Sequence, residues 1–280
     1  MQTNAGNGEG QAVGSPKIIT IVRNPLERSW SSYKYNYRQP LIDKLRKKDM
    51  KKKENHDDEW YKQNFVFSFE DLIAAELKAL KQCLKPGGKA ERAASYSYGI
   101  KQWATPEFSR RNRTGLPHMV VLDESCYGGK VSKSVPRRQW KNMVLQHPNK
   151  IINVQNLHLV QSLVGRSLYA LPLEWWYALY PKKDLFLFCS EDLRYRTSQS
   201  MSSLTNFLGL PTFDFTNVTS TGMYNMGGNT GYDSVTEWDN GTRATEDIPI
   251  SNELRKEYME FVAPYNERLY EVVGKRCNWG

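Results

Sequence analysis

The chain has 280 residues, of which 25% are charged and 39% are apolar, and its formal net charge is +9. This composition is typical of a globular protein that buries a full core in one large domain. No apolar run reaches the roughly 18 residues that a membrane-spanning helix needs, and no signal-peptide pattern is visible at Met1. The positive charge favours an anionic partner such as nucleic acid, a sulfated glycan or a phosphorylated cofactor, although we expect most lysines simply to be solvated.

The most informative part of the sequence is a short apolar run followed at once by helix-start signals. Residues 17–22 are rich in β-branched side chains, which favours a strand covered on both faces in a parallel sheet. Asn24 is a good N-cap residue, Pro25 suits the first helical position, and Glu27 is placed to reach back to the free cap amide. The pattern predicts a strand and then a helix that begins at Pro25.

Arg23 and Ser31 are candidate anion-binding residues in this stretch. Arg23 lies at the carboxyl end of the strand, beside a helix N-terminus whose free backbone amides would favour phosphate. Its guanidinium is a planar donor that matches phosphate geometry, and Ser31 adds a hydroxyl. The sequence therefore predicts half of an anion-binding site.

The later elements follow from caps and periodicity. Ser68 and Ser251 are predicted N-caps, and Pro264 is expected to kink the last helix. Further helices are predicted at residues 69–84, 151–163, 173–180 and 198–207, and a second buried strand at residues 185–189. Glu191, which follows that strand, could be a catalytic carboxylate, but we expect it to bind backbone amides or a basic residue.

Residues 1–16 are predicted to be a disordered lead-in, and residues 38–60 a charged, solvated insertion that could instead form a basic lip for a polyanionic glycan. The four cysteines contain no CxxC pair, so a zinc site is not expected, and the four histidines are isolated. We predict a Cys83–Cys126 disulfide if the compartment is oxidising, and a packed thiol at Cys189. Asn112, Asn217 and Asn240 lie in glycosylation sequons, which favours a lumenal protein.

Four stretches resemble sulfotransferase motifs in the order in which that family has them. Arg23-Asn-Pro-Leu-Glu-Arg28, with Ser31 and Tyr33 after it, resembles the 3'-phosphate-binding motif. The second stretch runs from Gly165-Arg-Ser-Leu-Tyr169 to Glu191-Asp-Leu193. The third is Phe207-Leu-Gly-Leu210, and the fourth runs from Tyr258 to Trp279. The resemblance covers about residues 17–37 and 150–280. It is closest to the Golgi carbohydrate branch, meaning heparan sulfate sulfotransferases and the N-acetylgalactosamine 4-sulfate 6-O-sulfotransferase.

The resemblance implies an α/β, P-loop-like three-layer fold with a central parallel sheet. It implies 3'-phosphoadenosine 5'-phosphosulfate (PAPS) as the donor, with its 3'-phosphate held by Arg23 and Ser31. The acceptor would be a hydroxyl of a glycosaminoglycan-like carbohydrate, and no metal would be needed. The family's late cofactor loop falls at residues 222–242, where its Lys-Gly-Arg pattern is absent and Arg243 is the candidate replacement.

One departure from the family concerns the glycine-rich loop that holds the 5'-phosphosulfate. Nothing before Lys17 resembles it, and the family's catalytic base lies near that loop. We therefore expect residues 17–280 to be the later part of a sulfotransferase domain, and we assign no catalytic residue. By the same resemblance, a longer form would be a type II membrane protein of the Golgi lumen.

Residues 89–149 are expected to help hold an anionic glycan, as the variable middle region of carbohydrate sulfotransferases does. The candidate residues are Tyr96, Tyr98, Trp103, Arg110, Arg111, Arg113, His118, Arg137, Arg138 and Trp140.

Two alternatives remain open: another nucleotide-dependent transferase or kinase, and a catalytically inactive basic protein that binds glycans or nucleic acid. Under the sulfotransferase interpretation no nucleic-acid partner is expected.

Overall fold

The computed structural model describes residues 16–54, 56–85, 88, 126, 140–152, 162–216 and 245–279. In chain order its main elements are β1 (Ile18–Val22), α1 (Pro25–Tyr33), a π-helical turn (Lys34–Arg38), α2 (Gln39–Lys52), α3 (Asp58–Phe65), α4 (Phe69–Cys83), α5 (Lys141–Gln146), α6 (Ala170–Leu179), β2 (Leu185–Cys189), α7 (Ser190–Tyr195), α8 (Thr197–Leu208) and α9 (Asn252–Val273). Short 3-10 turns lie at Gly165–Ser167 and Lys182–Asp184. None of the described helices is both long and apolar enough to cross a membrane.

The two predicted strands both form, and they pair in parallel, with Ile18 opposite Leu185 and Val22 opposite Cys189. The described residues do not cover β1 on both faces, contrary to what the sequence led us to expect. Ile19 is 41% exposed and Ile21 is 59% exposed, because the described part of the chain leaves this face of β1 open. A two-stranded parallel sheet neither confirms nor refutes the three-layer P-loop-like fold, which stays a prediction.

The predicted helix caps are confirmed. Asn24 caps α1, Ser68 caps α4 and Ser251 caps α9, and each side-chain oxygen accepts a hydrogen bond from an amide in the first turn. Each such cap contributes about 1 kcal/mol to helix stability. Gly209 ends α8 with a left-handed φ of 69°, as predicted for a helix C-terminus.

The core joins α1, α4 and α9. Leu26 and Tyr33 of α1, with Tyr37 of the π-helical turn, are buried as their helical spacing predicted. The apolar stripe of α4 is also buried and comprises Phe69, Leu72, Ile73, Leu77 and Leu80. These helices hold β1 and the start of α1 in place, and that is where the candidate site lies.

The charged stretch between residues 38 and 60 forms ordered helices rather than a purely solvated insertion. Its lysines are exposed, as predicted. Leu41, Ile42 and Tyr61 are nevertheless buried, so α2 and α3 are packed onto the core.

Trp140 is fully buried, which contradicts its candidacy for stacking on an acceptor sugar. The other acceptor candidates lie outside the described residues.

All four cysteines form disulfides. The predicted Cys83–Cys126 disulfide is confirmed. The packed thiol expected at Cys189 is wrong, because Cys189 is bonded to Cys277, whose Cα lies 5.5 Å away. This second disulfide joins the carboxyl end of β2 to the C-terminal tail, a contact between distant parts of the sequence.

Several expectations fall mostly or wholly outside the described residues. They are the lead-in 1–16, most of the helix predicted at residues 151–163, and the cofactor loop at residues 222–242. The helix predicted at residues 173–180 begins earlier, at Ala170. Helix α9 continues through Pro264 to Val273.

Candidate anion site at the carboxyl end of β1

Arg23 lies directly after β1, as the sequence predicted. Its Nε donates to Oε2 of Glu27 over 2.7 Å, and an Nη of Arg194 lies 3.4 Å from the same oxygen. Glu27 is 5% exposed, whereas the Arg23 side chain is 37% exposed. One buried carboxylate therefore faces two guanidinium groups, and the two Nη groups of Arg23 have no partner among the described residues.

The amides at the start of α1 are not free, which corrects the sequence expectation. The amide of Asn24 donates to Oε1 of Glu191 over 3.0 Å. The amides of Leu26 and Glu27 donate to Oδ1 of Asn24 over 2.9 and 3.4 Å. The predicted capping role of Glu27 is also wrong, since two arginines attract its carboxylate and Glu191 takes the cap amide. An anion here would therefore be bound by side chains.

Glu191 has the structural role that we expected. Besides the Asn24 amide, it accepts a hydrogen bond from the Trp279 indole over 3.1 Å. The side-chain amide of Asn24 in turn donates to the backbone oxygen of Trp279 over 3.1 Å. The Cys189–Cys277 disulfide holds the tail in this position. Hydrogen bonds among Glu191, Asn24 and Trp279 thus connect β1, β2 and the C-terminal tail next to Arg23.

One face of α1, at Ser29, is held by hydrogen bonds to distant parts of the chain, and we call it the anchored face; Arg28 next to it is bound as well. Arg28 donates to the backbone oxygen of Leu163 over 2.7 Å. Ser29 is fully buried and bonds Leu163, Ser167 and Tyr258 over 2.8, 3.2 and 2.9 Å. Burial raises the pKa of the Tyr258 phenol well above its ordinary value, so the phenol stays protonated and can donate.

Ser31 lies on the side of α1 away from Ser29, with Arg23 just before the helix and Lys34 just after it, and we call this side the open face. The half-buried Ser31 hydroxyl has no partner in the described part of the chain. Burial lowers the pKa of Lys34, and the positive charges of Arg38 and Arg23 lower it further. Lys34 Nζ lies 5.3 Å from the ring centre of Trp30, and Ser31 precedes Lys34 by less than one turn.

The sequence analysis missed Lys34. Its signal was nonetheless present, because Glu27, Ser31 and Lys34 follow one another at spacings of four and three, which places them on one helical face. Arg243 lies outside the described residues, as do the sequon residues Asn112, Asn217 and Asn240. The structure places Arg23 just before the start of α1, and Ser31 and Lys34 within one turn of each other at its end. The late cofactor loop lies outside the described residues.

His56 is not isolated, contrary to the sequence analysis. Its imidazole and the carboxylates of Asp49 and Glu54 offer ligand atoms within 4.8 Å of one another. These groups are half-buried or exposed, and Tyr61 already donates to Asp49 over 2.8 Å. Such surface groups commonly meet without an ion, and we assign no metal to them.

Comparison with known proteins gives one distant relative. The chain is similar to the membrane-associated sulfotransferase kil1 of Dictyostelium discoideum, with 20% identity over 281 aligned positions. The alignment covers 94% of this chain and 48% of the relative, so the chain spans about half the length of the curated protein it matches. No family model matches the chain. At this distance the similarity supports a relationship to sulfotransferases and nothing finer.

Proposed function

We propose that this chain is the later part of a sulfotransferase domain that uses PAPS as donor and a hydroxyl of an anionic, glycosaminoglycan-like carbohydrate as acceptor. The observation that carries the proposal is the open face of α1. There two Nη groups of Arg23 and the hydroxyl of Ser31 have no partner among the described residues, and Lys34 follows Ser31 by less than one turn, at the very stretch that resembles a 3'-phosphate-binding motif. The similarity of nearly the whole chain to a sulfotransferase supports the same interpretation.

The donor set of the open face fits a phosphate group. A phosphate dianion accepts hydrogen bonds in several directions, and Arg23 can offer two Nη groups while its Nε stays on Glu27. Ser31 would add a neutral donor, and Lys34 a charge. Arg194 and Arg23 share the buried Glu27 carboxylate, so that carboxylate orients both guanidinium groups without neutralising both charges.

In the proposed reaction the acceptor oxygen forms a bond to sulfur as the bond between sulfur and the donor's 5'-phosphate oxygen breaks. The acceptor proton goes to a base, and adenosine 3',5'-bisphosphate leaves. By analogy with phosphoryl transfer, catalysis rests on in-line positioning and on donors for the charge that builds on the leaving group. Arg23, Ser31 and Lys34 would fix the register of the donor. We assign no base among the described residues.

The exposed face of β1 supports the proposal that the P-loop-like fold is completed outside the described residues. Parallel strands are ordinarily covered on both faces, and two-stranded sheets are rarely stable alone. Ile19 and Ile21 therefore mark a face on which further structure would pack.

We also propose that the longer protein is a Golgi-lumenal type II membrane protein. All four cysteines are paired, in disulfides Cys83–Cys126 and Cys189–Cys277, and such bonds persist in oxidising compartments. The sequons at Asn112, Asn217 and Asn240 agree with a lumenal environment.

The test is calorimetric titration of the chain with adenosine 3',5'-bisphosphate and, separately, with ATP. We expect the bisphosphate to bind more tightly. Arg23→Ala should weaken its binding by about 1.5 to 3 kcal/mol, because a charge-assisted bond to phosphate is lost. Arg196→Ala is the control, since Arg196 is exposed and has no carboxylate partner among the described residues.

Three outcomes would overturn the proposal or redirect it. Unchanged bisphosphate affinity in Arg23→Ala removes the 3'-phosphate assignment. A preference for ATP points to another nucleotide-dependent transferase or kinase. Binding of sulfated glycans without any nucleotide binding points to a non-catalytic glycan-binding protein.

A further inference from the structure

A cavity of about 360 Å³ lies beside the open face, where the end of α1 meets α3, the start of α4 and Lys150. Its wall includes Trp30, Arg38, Lys62 and Lys150, with Glu59 as its carboxylate. This volume lies in the range of small-ligand sites in proteins. Three cations face one carboxylate there, so the cavity carries excess positive charge.

Arg38 is the most unusual group in the wall. Its guanidinium lies 5.4 Å from the ring centre of Trp30 and 6.0 Å from that of Tyr33. Its Nε is buried and has no hydrogen-bond partner, and no carboxylate among the described residues pairs with it. Aromatic rings orient a guanidinium but do not satisfy its N–H groups. A buried donor of this kind calls for an acceptor from outside the described residues.

Lys150 faces the same cavity from the other side. Its Nζ lies 5.7 Å from the ring centre of Phe67, and it makes no ion pair within the described ranges. Lys62 is paired with Glu59 over 3.2 Å, so that pair is nearly neutral. The net attraction for an anion therefore comes from Arg38 and Lys150, which both line the cavity.

We propose that this cavity binds a sulfated or carboxylated sugar residue of the acceptor, held between Arg38 and Lys150. The inference deepens the proposed function and rests on it, because it names an anionic sugar residue of the acceptor as the ligand of this cavity. Lys34 of the open face lies over the ring of Trp30 at 5.3 Å, and Trp30 lines the cavity. The cavity and the open face are therefore neighbours.

A nucleic-acid base fits this cavity less well than a sugar does. Trp30 is stacked on Tyr33, with ring centres 5.4 Å apart and planes 14° apart, and Lys34 and Arg38 also lie over the Trp30 ring. Little of the Trp30 ring is therefore left for a base to stack on, and stacking is what single-stranded nucleic acid needs. A sugar ring with anionic substituents needs no stacking surface and can be bound by the donors of Arg38 and Lys150 alone.

The experiment is titration of the full chain with a heparin-derived tetrasaccharide, with no nucleotide present. Arg38→Gln and Lys150→Gln should each weaken binding about tenfold, since each removes a charge-assisted contact. Arg196→Gln and Lys78→Gln make the same charge changes at exposed positions outside the cavity and should weaken it less than about twofold. Thermal melting reports whether Arg38→Gln remains folded, and Lys150→Gln provides the same test at a less buried residue.

Equal losses in the cavity variants and their controls would mean non-specific charge attraction and would overturn the inference. Inorganic sulfate that competes as well as the tetrasaccharide would reduce the cavity to a simple anion site and overturn its sugar specificity. A thymidine oligonucleotide whose binding depends on Arg38 and Lys150 as strongly would replace the sugar with nucleic acid. Adenosine 3',5'-bisphosphate titrated into Lys150→Gln reads the donor site separately, so failure of the donor proposal and failure of this inference give different results.

Discussion

The two faces of α1 differ in how completely their polar groups are satisfied. On the anchored face, Ser29 has three hydrogen-bonding partners and no exposed surface. On the open face, two residues further along, Ser31 has no partner in the described part of the chain, and Lys34 lies near other cations. The same short helix therefore carries a fully satisfied side and a side with unused donors.

This difference separates stability from binding. A protein holds a helix in place with groups whose partners are all internal, and it leaves donors unused where a ligand supplies the acceptors. Substitutions on the anchored face should lower the free energy of unfolding, and substitutions on the open face should lower ligand affinity instead. The following predictions test this separation from the largest expected effect to the smallest.

The two disulfides give the largest expected effect. Cys277→Ser and Cys83→Ser should each lower the free energy of unfolding by about 4 kcal/mol, because each bond closes a long loop in the unfolded chain. Cys277→Ser should also weaken binding of adenosine 3',5'-bisphosphate, since it frees the tail that holds Trp279 against Glu191. Urea unfolding and calorimetry measure the two effects. Equal bisphosphate affinity in both variants would show that the tail does not support the site.

Substitution of Glu76 tests whether the backbone segment that binds the anchored face is itself held in place by this carboxylate. Its carboxylate is fully buried and accepts from the amides of Leu163 and Gly165 over 2.8 and 2.9 Å, next to the backbone that Arg28 and Ser29 bind. Glu76→Ala should lower the free energy of unfolding by about 3 kcal/mol, because two buried amides lose their acceptor. The control is Glu257→Ala, whose carboxylate forms an exposed pair with Lys81 worth less than about 1 kcal/mol. Similar losses in the two variants would contradict the assignment.

Local signals in the sequence predicted the elements well, because a cap or a stripe depends on residues a few positions apart. Asn24, Ser68 and Ser251 illustrate this, as each needs only its own first turn. The partners that decide the site are distant in sequence. Glu191 reaches the Asn24 amide across 167 positions, and no spacing rule could have assigned it in place of Glu27.

The candidate site was predictable only in part for the same reason. Arg23 and Ser31 follow from the strand-to-helix pattern, but the supposed free amides do not, since their occupation depends on Glu191 and the tail. The Cys189–Cys277 disulfide was missed because pairing is a property of the fold. The exposure of Ile19 and Ile21 could not be foreseen either, since their sequence is typical of a fully covered strand.

Ser29 and Ser31 form a matched pair across the two faces. Ser29→Ala should lower the free energy of unfolding by about 1.5 kcal/mol, because Tyr258 and Ser167 lose a buried partner. Ser31→Ala should change it by less than about 0.5 kcal/mol. For the affinity of adenosine 3',5'-bisphosphate we expect the reverse, with a loss of about 1 kcal/mol in Ser31→Ala and little change in Ser29→Ala. If both serines affect the same quantity, the separation between the faces does not hold.

Substitution of Lys34 should have the smallest effect on stability, and its effect on function should be visible in the pH dependence of binding. Burial and the charges of Arg38 and Arg23 lower its pKa, so the folded protein binds the proton of Lys34 less tightly than the unfolded chain does. Lys34→Gln relieves this repulsion but loses the contact with the Trp30 ring, so the free energy of unfolding should stay within about 0.5 kcal/mol of the wild type.

Binding of an anion behaves differently, because it favours the protonated lysine. The affinity for adenosine 3',5'-bisphosphate should therefore fall as the pH rises from about 7 towards 10, through a lysine pKa that lies below its ordinary value. In Lys34→Gln this part of the pH dependence should be absent, and the affinity should start lower. Calorimetric titration of both proteins across this range measures the difference. Parallel pH profiles would remove Lys34 from the site and leave Arg23 and Ser31 as the phosphate ligands of the open face.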